Sequence, residues 1–270
     1  MKKSITTLFS AAVVISSLSS HAESNHNPAG KINTYVLVHG AWQAPYVWDV
    51  VKANLERQGN KVVVIELPGH GNDNTAAHTL SIDVYRDKVV DAINKVEGKV
   101  ILAGHSMGGM VITSVAEKIP ARISKLVYIG AFVPASGQSL LELSQMDAGS
   151  KLGASLSESE DRLTLNVKAA DLVGLFIPDG TADDKHRVTT NYRPEPSIPF
   201  TSKVTFTAAN FGAVEKVYIK TENDIVISPA FQDQMIAKAG VKTVYSVPAG
   251  HSPFLAKPAA VSDLLLQIGK

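Results

Sequence analysis

Apolar residues in this chain fall into short unbroken runs, separated by stretches in which they recur at every third or fourth position. The runs are Thr34 to Val38, Lys61 to Ile65, Val100 to Ala103, Lys125 to Ile129, Lys216 to Ile219 and Lys242 to Val247. Continuous rather than alternating hydrophobicity marks strands covered on both faces, so each run predicts a buried strand of a parallel sheet. Between the second and third runs, Ile82, Tyr85, Val89, Ile93 and Val96 step along one helical face, with Gly98 placed to end it. Val47, Val51 and Leu55 repeat the pattern ahead of Gly59. Val261, Leu264, Leu265 and Ile268 repeat it after Pro258, a residue suited to a first helical turn. Strands alternating with helices predict an α/β fold, with an open, mostly parallel central sheet flanked by helices.

From about residue 134 to 210 this rhythm breaks. Serines and acids cluster between Ser155 and Asp161, apolar residues from Leu163 to Phe176 have helical spacing, and Arg193-Pro194-Glu195-Pro196-Ser197-Ile198-Pro199 is rich in proline. A stretch this long is too large for a loop. It predicts a helical cap insertion over the strand ends, the edge at which open α/β sheets bind ligands.

The first 22 residues read differently. Met1-Lys2-Lys3 precedes a mostly apolar segment from Ile5 to Leu18, and Ser20-His21-Ala22 puts small residues at the −3 and −1 positions of a cleavage point. That pattern predicts a secretory signal peptide, residues 1–22, cut after Ala22 to leave a periplasmic or secreted domain of residues 23–270. No later stretch is apolar for long enough to cross a bilayer, so no membrane attachment is expected after cleavage. The formal charge of +1 falls by two when Lys2 and Lys3 are removed, leaving no basic excess to favour nucleic acid. With no cysteine, a disulfide framework and a thiolate nucleophile are excluded. None of the eight histidines pairs with another at the helical spacing of a zinc site, so no metal is expected. Oligomeric state leaves no mark in the sequence.

Candidate chemistry concentrates at one strand end. Gly104-His105-Ser106-Met107-Gly108-Gly109 follows the run ending at Ala103 and opens a helical pattern carrying Val111, Ile112 and Val115 before Pro120. A serine on a sharp strand-to-helix turn is lifted clear of the sheet, and flanking glycines tolerate the strained backbone that this requires. The helix N-terminus there offers free N–H groups to a developing oxyanion. A serine hydroxyl is a weak nucleophile at neutral pH and needs an imidazole base oriented by a carboxylate. His251, in Pro248-Ala249-Gly250-His251-Ser252-Pro253 just past the last strand, is the candidate base. Asp224, past the strand ending at Ile219, is the candidate acid, with Glu222 its rival. His105 is expected to pack or bond beneath the serine, and His70, in Leu67-Pro68-Gly69-His70-Gly71, to serve a turn. His39-Gly40-Ala41-Trp42 lies beyond the first strand and can supply a second donor, so the oxyanion hole is assigned to the N–H groups of Ala41 and Met107. Trp42, Phe132, Leu172, Phe176 and Phe211 are the candidate pocket residues, while Trp48 reads equally well as a loop aromatic packed on its own helix.

Together these segments resemble the α/β-hydrolase superfamily. Val36-Leu37-Val38-His39-Gly40-Ala41-Trp42, Gly104 to Gly109, Val217-Tyr218-Ile219 through Asp224 to Phe231, and Gly250-His251 look most similar to the methylesterase and hydroxynitrile lyase branch with its bacterial esterase relatives. The resemblance spans nearly all of residues 23–270. It implies that Ser106, Asp224 and His251 form a triad, in the chain order of that superfamily, acting on a small-molecule ester with no cofactor. Lyases of the branch typically carry threonine after the first-loop histidine and lysine after the catalytic histidine; this chain has Gly40 and Ser252. Haloalkane dehalogenases of the superfamily use aspartate where Ser106 stands. Both departures favour a serine esterase working through an acyl-enzyme. Two other readings stay open: a triad-bearing binding or sensor protein with negligible turnover, and cleavage of lactone, amide or carbon–carbon bonds, because triad geometry alone does not choose the scissile bond.

Overall fold

A computed structural model describes Met1 and residues 31–270; apart from Met1, the expected leader lies outside the described residues. The chain enters β1 (Thr34–Val38), passes a 3-10 turn at Pro45–Trp48 into α1 (Asp49–Arg57), and continues through β2 (Lys61–Ile65), α2 (Ile82–Asn94), β3 (Val100–His105), α3 (Gly108–Lys118) and β4 (Ile123–Ile129). A long insertion holds β5 (Gln138–Ser139), α4 (Leu140–Met146), β6 (Leu156–Glu158), β7 (Thr164–Val167), α5 (Leu172–Phe176), α6 (Ala182–Thr190), β8 (Glu195–Pro196), α7 (Ile198–Thr201) and β9 (Lys203–Val204). The chain then completes the sheet with β10 (Glu215–Thr221), α8 (Pro229–Ala239), β11 (Thr243–Val247), α9 (Pro253–Ala256) and α10 (Pro258–Gly269).

Six strands run in the order β2-β1-β3-β4-β10-β11, and every neighbouring pair is parallel. All C-terminal ends therefore meet along one edge, the place where loops can converge on a ligand. Every residue of β1 and β3 is buried, as continuous hydrophobicity requires. The two edge strands depart from that expectation: of their residues only Ile65 in β2 and Val247 in β11 are buried. An edge strand has a neighbour on one side only, so the helices shield it less completely.

Helix α1 packs with α10 and α2 with α3, which gives the two flanking layers. Ser81 begins α2 by accepting the Val84 N–H at 3.3 Å. The helix stops at Asn94, before Gly98, which instead forms the turn into β3 at φ +73°. The Arg122 guanidinium holds this end from outside the helix, donating to the carbonyl oxygens of Ile93 in the last turn and Val96 just beyond it at 2.9 and 2.6 Å.

The insertion contains the expected helices and, in addition, two small antiparallel sheets, β6-β7-β8 and β5-β9. Leu163 to Phe176 is not one helical stretch, because β7 occupies its first half and α5 its second. Short apolar segments fit either period, and β-branched Thr164 and Val167 side with the strand. Pairing of Gln138 with Val204 and of Ser139 with Lys203 brings the two ends of the insertion together. Beyond it, Thr207 and Phe211 donate backbone N–H groups to the carboxylate of Glu117 on α3, at 2.9 and 3.2 Å, which anchors the return to the sheet.

Candidate active site

Ser106 occupies the turn between β3 and α3 at φ +52°, a left-handed backbone conformation that is strained for any residue but glycine. Glycines make the turn possible by letting chain segments meet. A Cβ on Gly104 would stand 2.6 Å from the Gly108 carbonyl oxygen, and one on Gly109 would stand 2.1 Å from that of Phe132. The serine side chain faces a cavity and makes no hydrogen bond among the described residues.

His251 follows β11 and Asp224 follows β10, so the parallel order of the sheet delivers both to the same edge. His251 Nδ1 donates to Asp224 Oδ2 at 2.8 Å, with both side chains buried. The rest of that carboxylate is filled by the Thr221 hydroxyl at 2.8 Å and by the N–H groups of Val226 and Ile227 at 2.8 and 3.0 Å. With Nδ1 donating, the neutral imidazole keeps Nε2 as an acceptor. Glu222, the rival acid, is exposed and does not meet His251. No Ser106–His251 hydrogen bond is present among the described residues; such bonds are commonly long in the free protein and tighten when substrate binds.

His105 lies beneath the elbow, as expected. Its Nε2 donates to the His251 carbonyl oxygen at 2.7 Å, and its ring meets Phe254 edge-on at 4.7 Å. Burial, with His251 nearby, pushes its pKa well below the ordinary histidine value, so it works as a neutral donor to the loop of the candidate base.

The N–H groups of Ala41 and Met107 have no partner among the described residues, and both residues line the cavity beside Ser106. The loop between β1 and α1 is fixed by buried polar contacts. His39 Nε2 accepts the Leu67 N–H at 3.2 Å, while its Nδ1 donates to the Gly40 carbonyl at 2.9 Å. Burial, then the neighbouring His70, holds His39 down to a pKa of about 3. Gln43 Nε2 donates to Ser252 Oγ at 2.9 Å, which ties this loop to the residue after His251.

The cavity encloses about 420 Å³ between the sheet edge and the insertion. Trp42 and Phe132 line it, joined by Leu140, Leu152, Leu156, Leu165 and Phe200 from the insertion. Leu172, Phe176 and Phe211 do not. Leu172 and Phe176 are buried on α5, which packs against α6, and the Phe176 ring rests 5.8 Å from Trp42 and 5.9 Å from His251 behind the wall. Phe211 packs 4.3 Å from Phe206, with the Lys216 ammonium 4.3 Å above its ring, where the chain returns to the sheet. Apolar character at these three positions serves interior packing and not the pocket wall. Trp48 is a packing residue, 4.4 Å from Phe254.

His70 does more than make a turn. Its Nε2 meets Glu195 Oε2 at 2.8 Å in a fully enclosed pair, and the same oxygen accepts the Trp42 N–H at 2.7 Å. Burial alone would lower the His70 pKa, but the charge and hydrogen bond of Glu195, with help from the Pro68 carbonyl, raise it overall. Sequence reasoning missed Glu195. The only signal was an acid between two prolines, Pro194 and Pro196, with no periodicity to place it.

Comparison with known proteins agrees with this fold. Residues 35–264 match the alpha/beta hydrolase family. "Putative methylesterase 11, chloroplastic" of Arabidopsis thaliana is 31% identical over 250 residues, an alignment that takes in 88% of this chain and 64% of that protein. The chain thus spans just under two thirds of that relative's length. Methylesterase 17 of the same plant is 28% identical, with 89% of this chain and 92% of that protein covered. Among solved structures, polyneuridine aldehyde esterase superposes with a TM-score of 0.77 at 22% identity, covering 89% of this chain and all of that one. Tomato methylketone synthase I complexed with 2-tridecanone gives a TM-score of 0.80 at 21% identity, covering 88% and 98%. At such identities these two neighbours bear on the fold alone.

Proposed function

This chain belongs to the alpha/beta hydrolase family, and on that premise we propose that it is a carboxylic-ester hydrolase working through Ser106, His251 and Asp224. The observation that carries the proposal is the buried 2.8 Å contact between His251 Nδ1 and Asp224 Oδ2 at the strand edge that also presents Ser106 on a strained elbow. Ser106 Oγ attacks the ester carbonyl while His251 Nε2 takes its proton, and Asp224 steadies the imidazolium that forms. The carbonyl oxygen, now negative, sits against the N–H groups of Ala41 and Met107, which are aimed before reaction begins. His251 returns the proton to the leaving alcohol, and water, activated by the same imidazole, releases the acid from the acyl-enzyme.

Two positions favour hydrolysis over the lyase chemistry of similar proteins. A Cβ on Gly40 would fall 2.8 Å from both Ser106 Cβ and His105 Nδ1, so no threonine fits there. Ser252, buried and bonded to Gln43, puts a neutral side chain after His251 where those lyases carry a lysine. The methylesterase relatives point to the same reaction class. Among the described residues the mostly apolar cavity wall includes Asp147 and Glu158 but no lysine or arginine, so we assign uncharged, apolar esters as substrates. We also propose export of the domain, with residues 1–22 as its leader.

A panel of p-nitrophenyl esters tests the reaction and the substrate class together. Neutral short-chain esters are expected to turn over, esters with a free carboxylate on the acyl chain far less, and Ser106→Ala should reduce kcat at least about 10⁴-fold. Undiminished turnover by Ser106→Ala would sink the mechanism.

A further inference from the structure

Acids of the insertion reach three of the four segments that carry the proposed chemistry, all but the Ser106 elbow. Glu195 Oε2, on β8, accepts the Trp42 N–H at 2.7 Å, one residue past the Ala41 donor. Asp147, at the end of α4, accepts the Ser228 N–H at 2.7 Å and the Ser228 hydroxyl at 2.5 Å, on the loop that holds Asp224. Asp179, beyond α5, accepts the Gly250 N–H at 2.9 Å, one residue before His251. A backbone N–H at a loop edge must find some acceptor, and water or a neighbouring carbonyl would serve. Here the acceptor is in every case a carboxylate supplied by the insertion.

We propose that Glu195, Asp147 and Asp179 are positioning residues, holding the oxyanion loop, the acid loop and the base loop in mutual register from above. The proposal rests on the roles given above to Ser106, Asp224 and His251. Glu195 is the strongest of the three. It is completely enclosed, which is costly for a carboxylate unless it is paired; the pairing falls on Oε2 alone, Oε1 having no partner among the described residues. Its partners are His70 and a residue that needs support: Trp42 stands at φ +56°, in the left-handed region. That support comes from the insertion, through Glu195 on the backbone, the Leu165 carbonyl on the indole N–H at 2.9 Å, and the Phe200 ring at 5.7 Å. The Trp42 N–H lies in the peptide plane adjoining the one that carries the Ala41 N–H, so holding it restrains that donor through the two backbone torsions of Ala41.

Asp147 is buried and makes two bonds to one residue. Asp179 is exposed, but its loop lies directly on the base loop: a Cβ on Gly250 would come within 3.0 Å of Pro178 Cγ. Charge-assisted bonds are stronger than neutral ones, and exposure to solvent weakens them. The effects should therefore fall in the order Glu195, Asp147, Asp179.

The full chain tests this with Glu195→Ala, Asp147→Ala and Asp179→Ala beside Glu195→Gln, Asp147→Asn and Asp179→Asn, which retain an acceptor oxygen. Hydrolysis of a soluble p-nitrophenyl ester and amide hydrogen exchange at Trp42, Ser228 and Gly250 are the readouts. Glu195→Ala should lower kcat about 30-fold, Asp147→Ala about tenfold and Asp179→Ala about threefold, with KM changed less than about threefold and most of the loss restored by Gln or Asn. Each alanine variant should speed exchange at its own amide and leave the other two protected. Unchanged kcat and exchange in Glu195→Ala would overturn the proposal, as would equal losses in the alanine and amide variants with exchange rising across all three loops, the mark of general unfolding. A wild-type chain without ester turnover would defeat the reaction proposed above instead, and the exchange pattern would then judge the clamp alone.

Discussion

The rings of His39 and His70 meet at a tilt with centroids 4.9 Å apart, yet the fold drives their protonation in opposite directions. His39 is held down to about 3, against 6.5 for the free side chain, so folding favours its neutral form. Its contribution is complete above pH 6.5 and is lost as pH falls towards 3, at about 1.4 kcal/mol per pH unit, because the unfolded chain binds the proton that the folded one refuses. His70, raised by Glu195, behaves in reverse: its contribution is present below pH 6.5 and is lost as pH rises through its folded value. Urea unfolding from pH 7 to 4 should therefore show a steeper loss of stability for the wild type than for His39→Gln, whose amide can still bridge Leu67 and Gly40. His105 is held down chiefly by burial and by His251, both kept in the variant, so the difference between the curves reports His39; parallel curves would disprove the assignment. At this scale the sequence was readable where chemistry is local. Ser106 declares itself through its five neighbours, and His251 through a Gly-His step after a strand. Glu195 acts across 153 positions on Trp42, and no local pattern records a contact of that span.

The central strands and their helices were legible because burial on two faces leaves continuous apolar runs, and burial on one face leaves a helical stripe. The insertion was legible only as an interruption. Its strands are as short as two residues in β5, β8 and β9, too short for any period to show. Close approach between elements can be tested at α3, where Gly109 allows the helix to lie against the backbone after β4. Gly109→Ala would bring a Cβ to 2.1 Å from the Phe132 carbonyl oxygen, which cannot move aside as a side-chain tip would. Ordinarily Ala is the better helix former by about 1 kcal/mol, but here overpacking should reverse the sign and destabilise by about 2 kcal/mol. Thermal unfolding checks this: a melting temperature equal to or above that of the wild type would contradict the packing argument.

Across the whole molecule, a single topological fact organises the site: with all six central strands parallel, segments far apart in the chain open onto the same edge. The convergence of Ser106, Asp224 and His251 on that edge then needs no further coincidence. Export belongs to this scale too, and N-terminal sequencing of protein recovered outside the cytoplasm is expected to begin at Glu23; an intact Met1 would contradict it. The pairing of β5 with β9 carries a consequence of another kind. Because entry and departure of the insertion sit side by side, everything between them can lengthen, shorten or be replaced without pulling the catalytic platform apart. Evolution is thus free to retailor what the molecule accepts while inheriting how it reacts, provided each replacement brings its own acids to grip the loops below.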